Sequence, residues 1–172
     1  MSASEMPRLV KLRQIDGNTI RIEAGAAERA ALAERFGVAA IDRLVAEIAL
    51  ERAGEEVAAS GRIEAELVQT CGISREDFPV RIDEPLAFRF VPQTAIAVPD
   101  EEIELEEGDL DDIEYSGDSF DLGEAVAQSL AVAIDPYATG PNADAAREDA
   151  GIAPDDTPTG PLAEALKALK KK

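Results

Sequence analysis

Histidine and tryptophan are absent from the chain, and cysteine occurs once, at Cys71. Without an imidazole there is no Ser-His or Cys-His nucleophile pair, and both the commonest general base and the commonest metal ligand are missing. A single cysteine forms no internal disulfide and has no partner with which to build a zinc knuckle. No basic-then-apolar leader with a small-residue cleavage site opens the sequence, so a cytoplasmic location is expected. No apolar run approaches the eighteen or so residues that cross a bilayer, so no membrane partner is expected. Phosphate-cradling Gly-rich loops, a dinucleotide fingerprint and a Gly-x-Ser-x-Gly elbow are all missing, which leaves nucleotide-dependent and esterase chemistry without a motif. Aromatics are few, with five Phe and two Tyr, so the core has to be built from Ala, Val, Ile and Leu.

Positive charge is also scarce: 17 Lys and Arg stand against 36 Asp and Glu, a formal net charge of −19. A phosphate-neutralising grip on nucleic acid needs clustered cations, so direct non-specific nucleic-acid binding is not expected. The imbalance is local. Residues 1–92 hold 16 acids and 12 bases, residues 93–146 hold 15 acids and no base, and residues 147–172 hold five of each. At 172 residues the length fits one principal domain.

Along the chain, Leu9 to Ile15 and Thr19 to Ile22 flank Asp16-Gly17-Asn18, a pattern that predicts a hairpin or paired strands. Ala26 to Phe36 has helical composition, with Ala30, Ala33 and Phe36 near one face and Gly37 placed to end it. Ile41 to Arg52 fits a helix or a strand, and the clearer alternation of Val57 to Thr70 after a Gly54 turn favours a strand. In that second stretch Ile63, Ala65, Leu67 and Gln69 share one face. Phe78, Val80 and Ile82, then Leu86, Phe88 and Phe90, alternate again around Pro85, which implies an edge strand or a break. Beyond Pro92 the chain becomes an acidic connector, a solvated loop of about 93–119 with room for one short strand, carrying twelve carboxylates between Asp100 and Asp121. Asp121 then predicts a helix start, with Glu124 three residues on able to complete a capping box, and the residue before Pro136 ends the helix. Leu122, Val126, Ser129, Leu130 and Ala133 form its stripe. Residues 138–172 read as a flexible tail, with a short terminal helix possible over Leu162 to Lys172.

Several features invite chemistry and have a plainer reading. Carboxylate pairs can do acid–base work, but so many carboxylates without placement favour a solvated face. Asp109, Asp111, Asp112 and Glu114 suggest a calcium loop, yet Ile113 falls on a ligand position and Glu114 falls where that loop demands Gly. Cys71 closes a strand and is expected as a buried or strand-end thiol, with Ser74 three residues on. No catalytic residue, metal or cofactor is assigned.

Gly61-Arg62-Ile63-Glu64-Ala65-Glu66-Leu67-Val68-Gln69-Thr70-Cys71 is followed by Ile82-Asp83-Glu84-Pro85-Leu86-Ala87-Phe88-Arg89-Phe90-Val91-Pro92. Then come Phe120-Asp121-Leu122-Gly123-Glu124, Leu130-Ala131-Val132-Ala133-Ile134-Asp135-Pro136-Tyr137 and Pro161-Leu162-Ala163-Glu164-Ala165-Leu166. In this order, with an acidic insert between the second and third, these segments resemble the bacterial YceD family of large ribosomal RNA subunit accumulation proteins. The resemblance runs from about residue 8 to 170. It marks Gln69, Cys71, Asp121, Leu122, Asp135, Pro136 and Tyr137 as motif residues without a stated role. Many members carry a second cysteine where this chain has Ser74, and another after the late helix, so a metal role is not carried over. The resemblance implies a part in large-subunit rRNA accumulation and 50S assembly.

The resulting expectation is an α+β fold, a mainly antiparallel sheet or partial barrel with two packed helices, over residues 1–137, followed by the tail. The function expected is that of a non-catalytic ribosome-biogenesis factor. Its acidic segment, Asp100, Glu101, Glu102, Glu104, Glu106, Glu107, Asp109, Asp111 and Asp112, would contact a basic ribosomal protein or a pre-50S particle. Two alternatives stand beside it: an acidic protein-interaction module outside ribosome assembly, and an enzyme that uses carboxylates alone.

Overall fold

The period-two patterning of the middle of the chain builds three long neighbouring strands, β3 (Ala40–Ala53), β4 (Glu56–Thr70) and β5 (Asp77–Pro92). The computed structural model describes residues 4–93 and 111–152. The stretch that fitted helix or strand is β3, and Gly54, with φ of 69°, makes the tight turn into β4 that pairs Ala53 with Glu56. With β2 (Thr19–Glu23) beside β3 and β6 (Asp111–Tyr115) beside β5, the sheet has the order β2-β3-β4-β5-β6. All pairs are antiparallel except β5 with β6. The sheet is open, so of the two forms expected, sheet or partial barrel, the sheet is the one found.

One face of this sheet is apolar and the other is charged, as an antiparallel sheet with one solvated side requires. Leu44, Ile48 and Leu50 of β3, Val57, Ile63 and Leu67 of β4, and Leu86, Phe88 and Phe90 of β5 are all buried. On the outer face Arg21 meets Glu47 at 2.7 Å, Arg43 meets Glu64 at 2.8 Å, and Arg62, across from Glu47 in register, pairs with Asp83. Opposite charges facing each other across strands reinforce the pairing.

A second layer covers the apolar face. It consists of β1 (Leu9–Lys11) paired with β7 (Ser119–Asp121), and of α2 (Leu122–Ala133). The Phe120 ring stacks on Phe90 with centroids 3.9 Å apart and planes at 21°. Leu122, Val126 and Leu130 of the expected stripe are fully buried beneath α2. The early helix α1 (Ala26–Phe36) packs on β3 through Leu32 and Ala33 and ends at Gly37, which is left-handed at φ of 66°.

Three local expectations need correction, and one pair of alternatives is decided. The segments around Asp16-Gly17-Asn18 turn as predicted, with the Asn18 amide donating to the Asp16 carboxylate at 3.1 Å, but they do not pair with each other. A short 3-10 turn at Leu12–Gln14 diverts the chain, so β1 pairs with β7 and β2 with β3. Of the edge strand or break expected around Pro85, the edge is the one found, because among the described residues β6 pairs only with Phe88 to Pro92. Gln93 donates its amide to Tyr115, and β5 keeps one register against β4 throughout, so the odd positions, Pro79 and Pro85 among them, face their missing donors away from β4. Glu124 does not reach back to complete a capping box. Its carboxylate goes to Arg35 at 2.8 Å, while Asp121 alone caps the amides of Gly123 and Glu124. Finally, part of the expected tail has secondary structure: α3 (Ala143–Asp149) lies against the sheet, with Ala143 buried near Phe78 and Cys71. The terminal helix expected over Leu162 to Lys172 lies outside the described residues.

The cover is fastened at its entrance. One oxygen of the Asp121 carboxylate accepts the amides of Arg8 at 2.8 Å, Gly123 at 3.0 Å and Glu124 at 3.2 Å, and the Leu122 amide donates to the Arg8 carbonyl. Arg8 reaches on to Glu28 of α1, and Arg35 bridges Glu5 and Glu124. Gly123 is required here, since a Cβ would lie 1.8 Å from the Met6 carbonyl oxygen. Removing the carboxylate in Asp121→Ala takes away a helix cap and strands the Arg8 amide, and we expect a loss of about 3 kcal/mol in urea denaturation. The Arg8 guanidinium holds the Glu28 carboxyl below its ordinary range, and the Arg35 guanidinium does the same for Glu124. These carboxylates therefore contribute fully above the ordinary carboxylate value of 4.5, and their contribution fades as pH falls through the lowered values. Denaturation midpoints measured from pH 7 down to 3 should fall on this acid limb, and Arg35→Gln should make the fall shallower.

Candidate functional site

Three places collect the residues singled out in the sequence. The first is a groove at the edge of the sheet. Among the described residues β6 begins at the pairing of Asp111 with Phe88 and no strand pairs with residues 77–87 of β5 on that side, so they form an edge, and α2 runs beneath it. The open groove between them has a volume of about 600 Å³ and is lined by Ile63, Leu86 and Phe88, with exposed Val132 of α2 on one wall. Glu84, Asp111, Asp112 and Gln128 stand on its rim. Asp111 and Asp112 are the last two members of the acidic set. Asp112 takes a two-pronged bond from Arg89, at 2.8 and 3.0 Å, which fixes β6 against β5. Asp100, Glu101, Glu102, Glu104, Glu106, Glu107 and Asp109 lie outside the described residues.

The second place is a corner at the far end of β4. Gln69 is the one buried polar side chain among the described residues, and its amide nitrogen donates to the Asp135 carbonyl at 3.0 Å. The Asp135 carboxylate in turn accepts the Tyr137 amide at 2.8 Å, and the Pro136 ring prevents α2 from continuing. Gln69 thus fastens the end of α2 to the sheet, and Tyr137 is left 87% exposed. Cys71, one pleat further on the same face, is wholly buried against Phe78 and Ala143.

The polar groups directed at the Cys71 sulfur are donors. The Ser74 hydroxyl and amide and the amides of Gly140 and Ile73 point at it and, against the opposing effect of burial, bring the thiol down to about 6. A ring of donors suits a thiolate and does not suit a divalent cation, which needs lone pairs from several ligands. Among the described residues no three Cys, Asp or Glu side chains are grouped to hold a metal. Gly140, which no sequence pattern singled out, lets the chain lie on the Phe78 ring, 3.1 Å from where a Cβ would sit.

The third place is the Asp121 fastening. There Asp121 and Leu122 act on the fold, well apart in sequence from the Gln69 and Cys71 corner. Sequence reasoning missed Arg8, Gly123 and Arg35 at this place, and Glu84, Gln128 and Val132 in the groove. Gly123 alone carried a local signal, since glycine in a helix's first turn sacrifices helical propensity and so marks a close approach.

By fold, the protein belongs to the α+β class with an open, mostly antiparallel sheet. The family model described as large ribosomal RNA subunit accumulation protein YceD matches residues 59–170, more than half of the chain, and the chain belongs to that family. Its name gives a ribosome-biogenesis role in accumulation of large-subunit rRNA. No curated protein and no solved structure matches the chain. Among the described residues no helix is long and apolar enough to cross a membrane.

The lowered Cys71 thiol has a sign that can be checked. A group depressed from 9.0 to about 6 in the folded state adds stability that is complete above pH 9 and lost as pH falls through 6. The thiolate absorbance of the native protein should titrate with a midpoint near 6, and stability should rise from pH 6 to 9 in the natural chain but not in Cys71→Ala.

Proposed function

We propose that this protein supports 50S assembly in the cytoplasm without catalysing a reaction, by docking its acidic side onto a basic ribosomal protein of the pre-50S particle. The observation that carries the reading is how the charge is arranged. On the described surface Arg8, Arg21, Arg35, Arg43, Arg62, Arg89 and Arg147 are each held by carboxylates of the chain itself. Their charge is used within the fold, while Glu84 and Asp111 face the groove and the acidic run of residues 100–109 leads directly into β6. A surface of this kind repels the phosphate backbone and attracts cationic proteins, and complementary fields both speed encounter and suppress wrong partners.

Family membership supplies the setting, accumulation of large-subunit rRNA. Chemistry by carboxylates alone would need a pair set apart by its surroundings, and the carboxylates of the described residues are at the surface.

Sucrose-gradient profiles of a deletion strain test the role directly. We expect a fall in the ratio of large to small subunits, restored by the natural chain and not by one whose carboxylates from Asp100 to Asp112 are changed to Asn and Gln. An unchanged ratio in the deletion strain would remove the assembly role. Full restoration by the neutralised chain would remove the acidic docking.

A further inference from the structure

We propose that the groove between the open edge of β5 and α2 receives one amphipathic, basic helix of the partner protein; this rests on the docking reading above and specifies its mode. Two kinds of peptide can occupy such a site, an added strand on the sheet edge or a helix in the groove. The edge itself decides between them. An added strand would draw on the outward amides of residues 77–87, and Pro79 and Pro85 supply none at those positions. A helix satisfies its own main chain and asks only for an apolar seat and a matching rim.

Both are present. Val132 is 88% exposed although it sits on a helix whose opposite face is fully buried, and it stands over a floor of Leu86 and Ile63. Single exposed apolar residues are ordinary on protein surfaces, but this one borders a groove that Leu86 and Ile63 also line. Glu84, Asp111 and Gln128 surround the seat, so the occupant is cationic around its apolar stripe. Apolar anchors spaced by three and four residues, flanked by Lys and Arg, match this surface.

The test uses the full chain and a fluorescent helical peptide with Leu at such spacing and Lys on its flanks, together with the same peptide interrupted by a central proline. We expect saturable binding of the helical peptide, weakened about tenfold or more by Val132→Asp and by Asp111→Lys, and weakened likewise by the proline. Val132 and Asp111 are exposed, so neither change is expected to disturb the fold, and thermal melts of both variants check this. Equal binding to Val132→Asp, or equal binding of the interrupted peptide, overturns the inference. So does tighter binding when Leu162, Leu166 and Leu169 are changed to Asp, because the groove would then belong to the chain's own C-terminal segment. The two readings fail separately. A Val132→Asp strain with a normal subunit ratio, beside a defective neutralised-carboxylate strain, overturns the groove and leaves the assembly role standing. An undisturbed deletion strain removes the assembly role, while the peptide measurement still decides the groove.

Discussion

The structure depends on keeping water from one face of three long strands, and the means of doing so is a single carboxylate. β3, β4 and β5 expose an apolar face far wider than a hairpin can hide, and α2 with the β1–β7 pair is the layer that covers it. That layer comes from the two ends of the described chain, separated by more than a hundred residues. Asp121 joins them by accepting the Arg8 amide and the first free amides of α2 on one oxygen. A charged acceptor at a helix start satisfies orphan donors and meets the positive end of the helix, so one side chain sets the position, direction and phase of α2. Once the phase is set, Leu122, Val126 and Leu130 point inward and Phe120 falls onto Phe90.

Electrostatics divides the molecule into two uses of charge. On the outer face of the sheet, arginines stand opposite carboxylates across strands, and arginine stems lie beside Val45, which is 3% exposed though it faces outward. At the edge beyond β5 the acids outnumber the bases. The net charge of −19 is not spread evenly along the sequence, since residues 93–146 hold 15 acids and no base.

What could be read from the sequence followed the reach of the signal. Alternation identified β4 and β5 and, by continuity, β3, because a period of two is local and repeated along the strand. Gly37, Gly54 and Asp121 were legible as a helix stop, a turn and a cap, since each does its work within a few residues. Pairing was not legible: the Asp16 turn suggested that its flanks meet, while the partners of β1 and β2 were chosen by burial far along the chain. Glu124 shows the same limit. Its spacing from Asp121 suits a capping box, but Arg35, 89 residues away, offers a charged partner and takes the carboxylate. Of the candidate site, Asp111 and Asp112 were named in advance for their charge, whereas Val132 was indistinguishable from any other apolar residue of a helix.

The position of the groove follows from the same economy of cover. α2 is twelve residues long, a little over three turns, while β5 is sixteen residues long and, among the described residues, is paired on its far side only at its last five. A helix of that length covers the centre of the sheet and leaves a margin at the edge where β5 outruns β6. Evolving proteins close such margins with charge, proline or a further element. Here proline blocks the main chain of the edge and carboxylates surround it, which discourages strand pairing between copies of the chain. The apolar floor beneath remains uncovered by the described residues. An edge whose prolines disfavour strand addition, beside a groove with an apolar floor and an acidic rim, suits an apolar, cationic helix better than a further strand.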